Sequence, residues 1–319
     1  MILRCCVTLL IIFTSAFAQA TELTPSGHAI QQPGGHKLTV VATIRPVHSL
    51  LSSIMQGSDE PVLLLDQTQS VHHYSLRPSQ RSTLTHADML FWVGEALEGF
   101  MPRIINSLPK TVQVVELIES KGLSLLEPRS SELSGTEQHD HHGHSHHDHG
   151  DNLDPHIWLS IDNALIMAEK MAQSLALIAP HNKPLYDANL QQLRSALLQE
   201  KARIGQLFKT QDFSYLVYHD AFQYFEEPLQ LKPLAAISND EEQAPGIKHL
   251  NKISQLISTH KISCVIYNTP TLPAVARNLF KQDTIRVHID PVGQRFQAGP
   301  GLYFNLLNSL SAGYQQCQP

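Results

Sequence analysis

Residues 37–55, KLTVVATIRPVHSLLSSIM, decide the fold class of this chain. The first part, 38–44, is a run of β-branched and aliphatic residues, which predicts a strand buried on both faces. The part that follows, 46–55, is predicted to be a helix. A buried strand that leads directly into a helix is the repeating unit of a parallel sheet covered on both faces.

The same alternation continues on both sides of a helical middle region. The further predicted strands are 62–66, 89–94, 111–117, 214–219, 231–237, 263–268 and 284–290. The further predicted helices are 79–87, a stretch from 160, 182–208, 246–259, 272–280 and 301–314. The sequence therefore predicts an α/β fold of two lobes, each with a mainly parallel sheet flanked by helices.

A chain of 319 residues is expected to form roughly two domains. We place an N-terminal lobe at 37–180, a linking helix at 181–210 and a C-terminal lobe at 211–319. The linking helix has Asn182 as its predicted cap and Pro184 in its first turn. At 1.5 Å per residue it would extend roughly 40 Å, which is long enough to brace both lobes.

The N-terminus has the pattern of a secretory signal peptide. Arg4 precedes a mostly apolar run, 5–18, that is too short to span a bilayer, and cleavage is expected after Ala18 or Ala20. Residues 1–20 are therefore assigned to the signal peptide and 21–36 to a disordered lead-in. No later segment is long and apolar enough for a membrane span, so the mature chain is expected not to be membrane-embedded. A net charge of −6 without a basic cluster argues against nucleic acid as a partner.

Export also bears on the cysteines. Cys5 and Cys6 leave with the signal peptide, so Cys264 and Cys317 remain as a pair in an oxidising compartment. We predict that they form a disulfide, which the chain-entropy model values at roughly 4 kcal/mol for a loop of this length. The alternative is two unpaired buried thiols.

Residues 127–152 are rich in Pro, Ser, Gly, His and acids, which predicts a mobile loop within the first lobe. Seven of the 19 histidines fall in this loop: His139, His141, His142, His144, His146, His147 and His149. Imidazole is a preferred ligand of zinc, copper and nickel, so the tract indicates a transition metal, most simply Zn²⁺. The alternative is a solvated loop with incidental affinity.

Tight binding needs ligands on a rigid frame, and four side chains lie at or just beyond predicted strand ends or beside the loop. These are His72, His156, His219 and Asp290. Ligands of open α/β sheets bind beyond the carboxyl ends of the strands, so the four side chains are expected to meet in the cleft between the lobes. Each also has a structural alternative: His72 as a loop residue, His156 as a core residue beside Trp158, His219 as a strand end and Asp290 as a turn start.

Five strings resemble the zinc-specific solute-binding proteins of ABC importers, within the cluster of manganese- and zinc-binding receptors. They are HHYSLRPSQ (72–80), LFWVGEALEGFM (90–101), DPHIWLS (154–160), YLVYHDAFQYFE (215–226) and HIDPVG (288–293). The resemblance implies that His72, His156, His219 and Asp290 bind the metal. It also implies that the His-rich insertion has an auxiliary metal role and that Cys264 and Cys317 are the family's disulfide pair.

Manganese members place a glutamate where this chain has His219, and three imidazoles with one carboxylate suit tetrahedral zinc. Val71 stands where some zinc members carry a glutamate, so the fourth ligand is Asp290, a water or a donor from the loop. His73 is a competitor of His72 for the first position, and the spacing to Tyr74 favours His72.

The resemblance implies a monomeric periplasmic receptor that captures Zn²⁺ and delivers it to an inner-membrane ABC permease. A zinc buffer or chaperone without a transport role is the first alternative. A zinc hydrolase is the second, but no ligand histidine is paired with a general base as in HExxH, so we expect no enzymatic activity.

Overall fold

Two four-stranded parallel sheets form the frame of the chain. The computed structural model describes residues 37–66, 70–72, 74–129, 153–210, 213–238 and 244–318. The first sheet contains β1 (Val40–Ala42), β2 (Val62–Leu63), β3 (Met89–Trp92) and β4 (Gln113–Glu116) in the order β2-β1-β3-β4. The second contains β5 (Tyr215–His219), β6 (Ala236–Ser238), β7 (Cys264–Tyr267) and β8 (Ile285–His288) in the order β6-β5-β7-β8.

Helices cover these sheets. In chain order they are α1 (Arg45–Ile54), α2 (Pro78–Thr85), α3 (Met101–Ile105), α4 (Ile161–Ile178), α5 (Lys183–Leu207), α6 (Gln223–Glu226), α7 (Ile247–Thr259), α8 (Ala274–Arg277) and α9 (Leu302–Gln316). The predicted fold class, two parallel α/β lobes with a long helix, is confirmed. None of the helices in the described ranges is long and apolar enough to cross a membrane.

The strand order places a ligand crevice in each sheet. In both, the second strand adds to one side of the first strand and the third strand adds to the other side. The chain therefore changes direction beside β1 and beside β5, and such switch points open a crevice at the carboxyl ends of the strands. His219 is the last residue of β5 and so lies at one of these crevices.

The long helix α5 contacts helices from both halves of the chain. It has 25 residues, about 38 Å of helix. Pro184 lies in its first turn, where a missing N–H costs nothing. The helix packs against α1 and α4, which precede it, and against α9 at the end of the chain.

The two sheets share one hydrophobic core. It runs from Val40 in β1 to Tyr314 in α9 without a break between the lobes. Polar bonds support this junction: Ser49 Oγ in α1 donates to the Pro300 carbonyl (3.2 Å) and accepts from the Tyr303 N–H of α9 (2.9 Å). A smaller second core lies in the C-terminal half alone.

Cys264 of β7 and Cys317, just after α9, form a disulfide, as predicted. Their Cα atoms are 5.3 Å apart, within the normal range for a disulfide. The bond ties the last helix to an interior strand of the second sheet.

Several predicted strands and one predicted helix are shorter in the structure. The strands predicted at 38–44 and 62–66 are formed only at Val40–Ala42 and Val62–Leu63. The strand predicted at 231–237 is formed at Ala236–Ser238, although the Leu234 N–H and the Ala235 carbonyl just before it also bond β5. The helix predicted at 272–280 is reduced to Ala274–Arg277. Its outer apolar residues, Leu272 and Phe280, are buried from turns that flank it.

Candidate metal centre

His72 lies in the segment between β2 and α2. Its backbone N–H donates to Ser70 Oγ (3.3 Å). Two residues later, the buried Tyr74 hydroxyl accepts from Gln80 Nε2 (2.9 Å), and the same amide donates to the Leu64 carbonyl (2.6 Å). The chain that follows His72 is thus fixed to the end of the first sheet.

His156 is held by an acidic neighbour. Asp154 Oδ1 accepts from the backbone N–H of His156 (3.0 Å) and lies 2.7 Å from its Nδ1. Because an ionised carboxylate can only accept, Nδ1 carries the proton and Nε2 of the neutral ring keeps its lone pair for a metal. The Asp154–His156 motif is therefore more than a turn.

His219 ends β5, where its backbone pairs with Ser238 of β6. The side chain is 8% exposed. Since β5 is an inner strand of the second sheet, this imidazole is delivered by a rigid element to the crevice at the carboxyl ends.

The structure brings these three histidines together. One ligand nitrogen from each of His72, His156 and His219 lies within 4.8 Å of the other two. The ring centroids are 5.4 Å apart for His72 and His156, 5.9 Å for His72 and His219, and 5.6 Å for His156 and His219. His156 and His219 are buried, whereas His72 is half-buried. Three converging imidazoles match the ligand number and type of a zinc site that takes its fourth ligand from elsewhere.

Asp290 is not part of this group, which within the described residues consists of the three histidines. It follows β8, and its carboxylate accepts from the N–H of Val292 (2.9 Å) and from that of Gln294. These bonds are those of a turn start, the structural alternative for this residue. A carboxylate has further lone pairs, so the role of Asp290 as a ligand stays a prediction.

Several sequence predictions fall outside the described residues. They concern the signal peptide and lead-in at 1–36, the competitor His73, and the histidine tract at 139–149.

A polar cluster behind His219 was missed by sequence reasoning. Asp220 pairs with Arg129: Nε lies 2.9 Å from Oδ2, and Nη2 contacts Oδ1. The same Nη2 reaches Glu226. Asp220 and Glu226 are 91 and 97 residues from Arg129 in the chain, so no local pattern could have signalled these pairs.

Glu226 is the buried end of this cluster. Its Oε1 accepts from the hydroxyls of Tyr215 (2.8 Å) and Tyr314 (2.5 Å). Burial raises the pKa of Glu226, and Arg129 and the Tyr314 hydroxyl oppose that rise. Burial and the Glu226 carboxylate raise the pKa of both tyrosines, so they remain hydrogen-bond donors at any physiological pH.

Three imidazoles that converge where two parallel α/β lobes meet define a class of protein that holds a transition-metal ion between its halves. The model of one family, described as the zinc-uptake complex component A periplasmic (ZnuA), matches residues 40–317. The chain belongs to this family.

Individual relatives agree with this assignment. The high-affinity zinc uptake system protein ZnuA of Brucella abortus is 31% identical over 314 residues, covering 89% of this chain and 93% of that protein. The protein of the same name from Haemophilus ducreyi is 31% identical over 293 residues, covering 87% and 92%. A crystal structure of ZnuA superposes with a TM-score of 0.75 at 18% identity, covering 89% of this chain and all of that one. The predicted family and fold are thus confirmed.

Proposed function

We propose that this protein is a high-affinity receptor that captures Zn²⁺ in the periplasm and delivers it to an ABC permease. The observation that carries the proposal is the group of three imidazoles, each on a separately fixed segment. The names of the relatives, which are zinc uptake proteins, support zinc as the cargo. The protein acts by binding and release, without chemical turnover of a substrate.

In this proposal His72, His156 and His219 supply three ligands. Asp290 supplies the fourth when its loop shifts toward the ion; a water or a loop histidine is the alternative. A neutral three-imidazole set favours a borderline-soft ion over manganese, which prefers oxygen ligands.

Zinc titration against a competing chelator tests the assignment. The parent is expected to bind one ion tightly, and His219→Ala, His156→Ala and His72→Ala are each expected to abolish that tight site. His288→Ala, at the end of β8 and exposed, is the matched control and should bind like the parent. A tight site that survives in all three ligand variants would contradict the proposal.

Zinc X-ray absorption of the parent and of Asp290→Asn tests the fourth ligand. The proposal expects the Asp290→Asn spectrum to lose an oxygen contribution from the first coordination shell. An unchanged spectrum would leave water or a tract histidine as the fourth ligand.

The tract at 139–149 is given an auxiliary role as a low-affinity collector or sensor. Its seven histidines are also what favours the alternative of a zinc buffer without transport. A variant that lacks residues 137–150 separates the two functions by calorimetry. The receptor keeps one tight zinc and loses only weaker sites, whereas a buffer loses its tight binding.

Transport and location need tests in cells. We propose that residues 1–20 are removed on export, that the mature chain is a periplasmic monomer, and that it restores growth under zinc limitation to cells that lack their own receptor. Intact mass of the secreted chain reports cleavage after Ala18 or Ala20. The zinc-loaded protein is expected to show no hydrolysis of ester, amide or phosphate substrates beyond that of free zinc.

A further inference from the structure

Arg129 joins the two halves of the chain next to the candidate metal site. It belongs to the segment that follows β4, whereas its partners Asp220 and Glu226 follow β5 and end α6. The segment is itself anchored nearby, because the Leu126 N–H donates to the Tyr224 hydroxyl (2.9 Å) and the Leu126 carbonyl accepts from the Asp154 N–H (2.8 Å).

Arg129, Asp220 and Glu226 form a rigid polar link, which we call the strut. The Asp220 carboxylate receives two bonds from the guanidinium fork, an arrangement that fixes orientation as well as distance. The same Nη2 also contacts Glu226, which is fully buried and held by Tyr215 and Tyr314. Because Glu226 cannot move without breaking these bonds, Arg129 holds Asp220 in one place.

Asp220 directly follows His219, so the position of one carboxylate restrains the neighbouring imidazole. The other two histidines come from the first half of the chain and are fixed there, His156 by Asp154 and His72 by the bonds around Tyr74. A three-histidine site needs all three ligand nitrogens at the correct positions around the ion. Groups that orient metal ligands change the metal affinity by about tenfold to a hundredfold.

We propose that Arg129 is a positioning residue for metal retention: through Asp220, and supported by Glu226, it keeps His219 in register with His72 and His156. The inference rests on the proposed function of the three histidines as zinc ligands. It adds a residue that contacts no metal but controls how long the metal stays bound.

Two variants break the strut at different ends. Arg129→Met alone would leave the buried Glu226 without its counter-ion and so endanger folding. It is therefore combined with Glu226→Gln, whose amide oxygen still accepts from both tyrosines. Asp220→Asn leaves the Arg129–Glu226 pair in place and weakens only the link to His219. Arg203→Met is the control, since the exposed Arg203 of α5 forms a similar fork with Glu200 and also donates to Asn308 of α9.

Zinc affinity and dissociation are measured by chelator competition, and site geometry by the visible absorption of the Co²⁺-substituted protein. For the double variant and for Asp220→Asn we expect one remaining zinc site, a dissociation constant raised about 10- to 100-fold with faster release, and shifted Co²⁺ bands. Arg203→Met should match the parent in every measurement.

Parental zinc affinity and Co²⁺ bands in a folded double variant and in Asp220→Asn would overturn the inference. His219→Ala, measured alongside, identifies which idea has failed. If His219→Ala loses the tight site while the strut variants keep it, only the role of Arg129 is wrong. If His219→Ala also keeps the tight site, the proposed metal site and the role of Arg129 are both wrong.

Discussion

At the scale of single residues, Asp154 sets which nitrogen of His156 is available to a metal. Its Oδ1 accepts from Nδ1, while its Oδ2 is buried with no hydrogen-bond partner among the described residues. Asp154→Asn removes the charge and places an amide N–H₂ where no acceptor is provided, so we expect the zinc dissociation constant to rise about 10- to 100-fold in chelator competition. Asp162→Asn, an exposed acid paired with Lys201, is the control. Parental affinity in Asp154→Asn would show that His156 needs no such partner.

A second residue, Glu98, contributes to how the free energy of unfolding depends on pH. It is fully buried; burial raises its pKa to about 7, although the Val93 and Gly94 N–H groups donate to its Oε2 and oppose that rise. Below about pH 4.5 the carboxyl is protonated in the folded and unfolded states alike. Between about pH 4.5 and 7 the unfolded chain ionises first, so the free energy of unfolding falls by up to about 3 kcal/mol as pH rises.

Glu98→Gln, which mimics the protonated form, is therefore expected to be more stable than the parent at pH 8, by up to about 3 kcal/mol. This advantage should vanish near pH 4.5. Urea unfolding of the metal-free protein at the two pH values measures it, with Glu169→Gln on the exposed face of α4 as control. An equal difference between Glu98→Gln and the parent at both pH values would rule out the titration of Glu98 as its cause.

That the three histidines converge could be predicted from the sequence, because each follows a recognisable element or motif. The residues that hold these histidines in place could not be predicted. Arg129 and Glu226 meet only after both lobes have packed together, and Asp154 looks like a turn residue until the imidazole of His156 is placed beside it. Asp290 shows that a motif alone does not establish a ligand. Its motif predicts a metal ligand, whereas its observed hydrogen bonds are those of a turn.

At the scale of elements, two glycines in long helices predict opposite effects of the same substitution. A Cβ at Gly313 in α9 would lie 2.5 Å from Ile289 Cδ1 and 2.7 Å from its Cγ1, whereas a Cβ at Gly205 in α5 would meet nothing within 4 Å. Gly313→Ala is thus expected to lower the free energy of unfolding by about 1–3 kcal/mol through overpacking. Gly205→Ala should raise it by up to about 1 kcal/mol through helix propensity.

Urea unfolding of the two alanine variants beside the parent provides the measurement, and each variant is the control for the other. If both alanine variants were more stable than the parent, α9 and the end of β8 could move apart to admit the new methyl group at no cost in free energy. Ile289 precedes Asp290, so a shift of this contact would also displace the predicted fourth ligand.

Secondary-structure elements were predicted well where the hydrophobic periodicity and the length of the segment indicated the same element type. They were predicted poorly where the buried residues lie in turns. The core of β5 was recognisable as an unbroken apolar run that ends at His219. The stretch before β6 carried similar apolar content, but it joins β5 through the Leu234 N–H and the Ala235 carbonyl without forming a regular strand. α8 shows that buried residues such as Leu272 and Phe280 do not by themselves make a helix.

At the scale of the whole molecule, the shared core predicts that the lobes move little when zinc binds. Besides the contacts of Ser49, the Trp158 indole N–H donates to the Pro291 carbonyl (2.8 Å), and the Tyr303 hydroxyl donates to the Trp158 carbonyl (2.6 Å). Opening the lobes would break these buried bonds and expose apolar surface. We expect local movement near His72 or His219, and only a slight lobe rotation between metal-free and zinc-bound crystals. A rotation of tens of degrees would contradict this.

The shared core has a consequence for recognition by the proposed permease. If the two lobes keep nearly the same positions with and without zinc, the overall shape of the protein does not show whether zinc is bound. Besides the local movement near His72 or His219, the difference that remains is electrostatic: one ion adds two positive charges at a single point of an acidic protein. His72 is the most exposed of the three histidines. We therefore expect a docking partner to distinguish the zinc-loaded protein from the empty one by the electrostatic potential near His72.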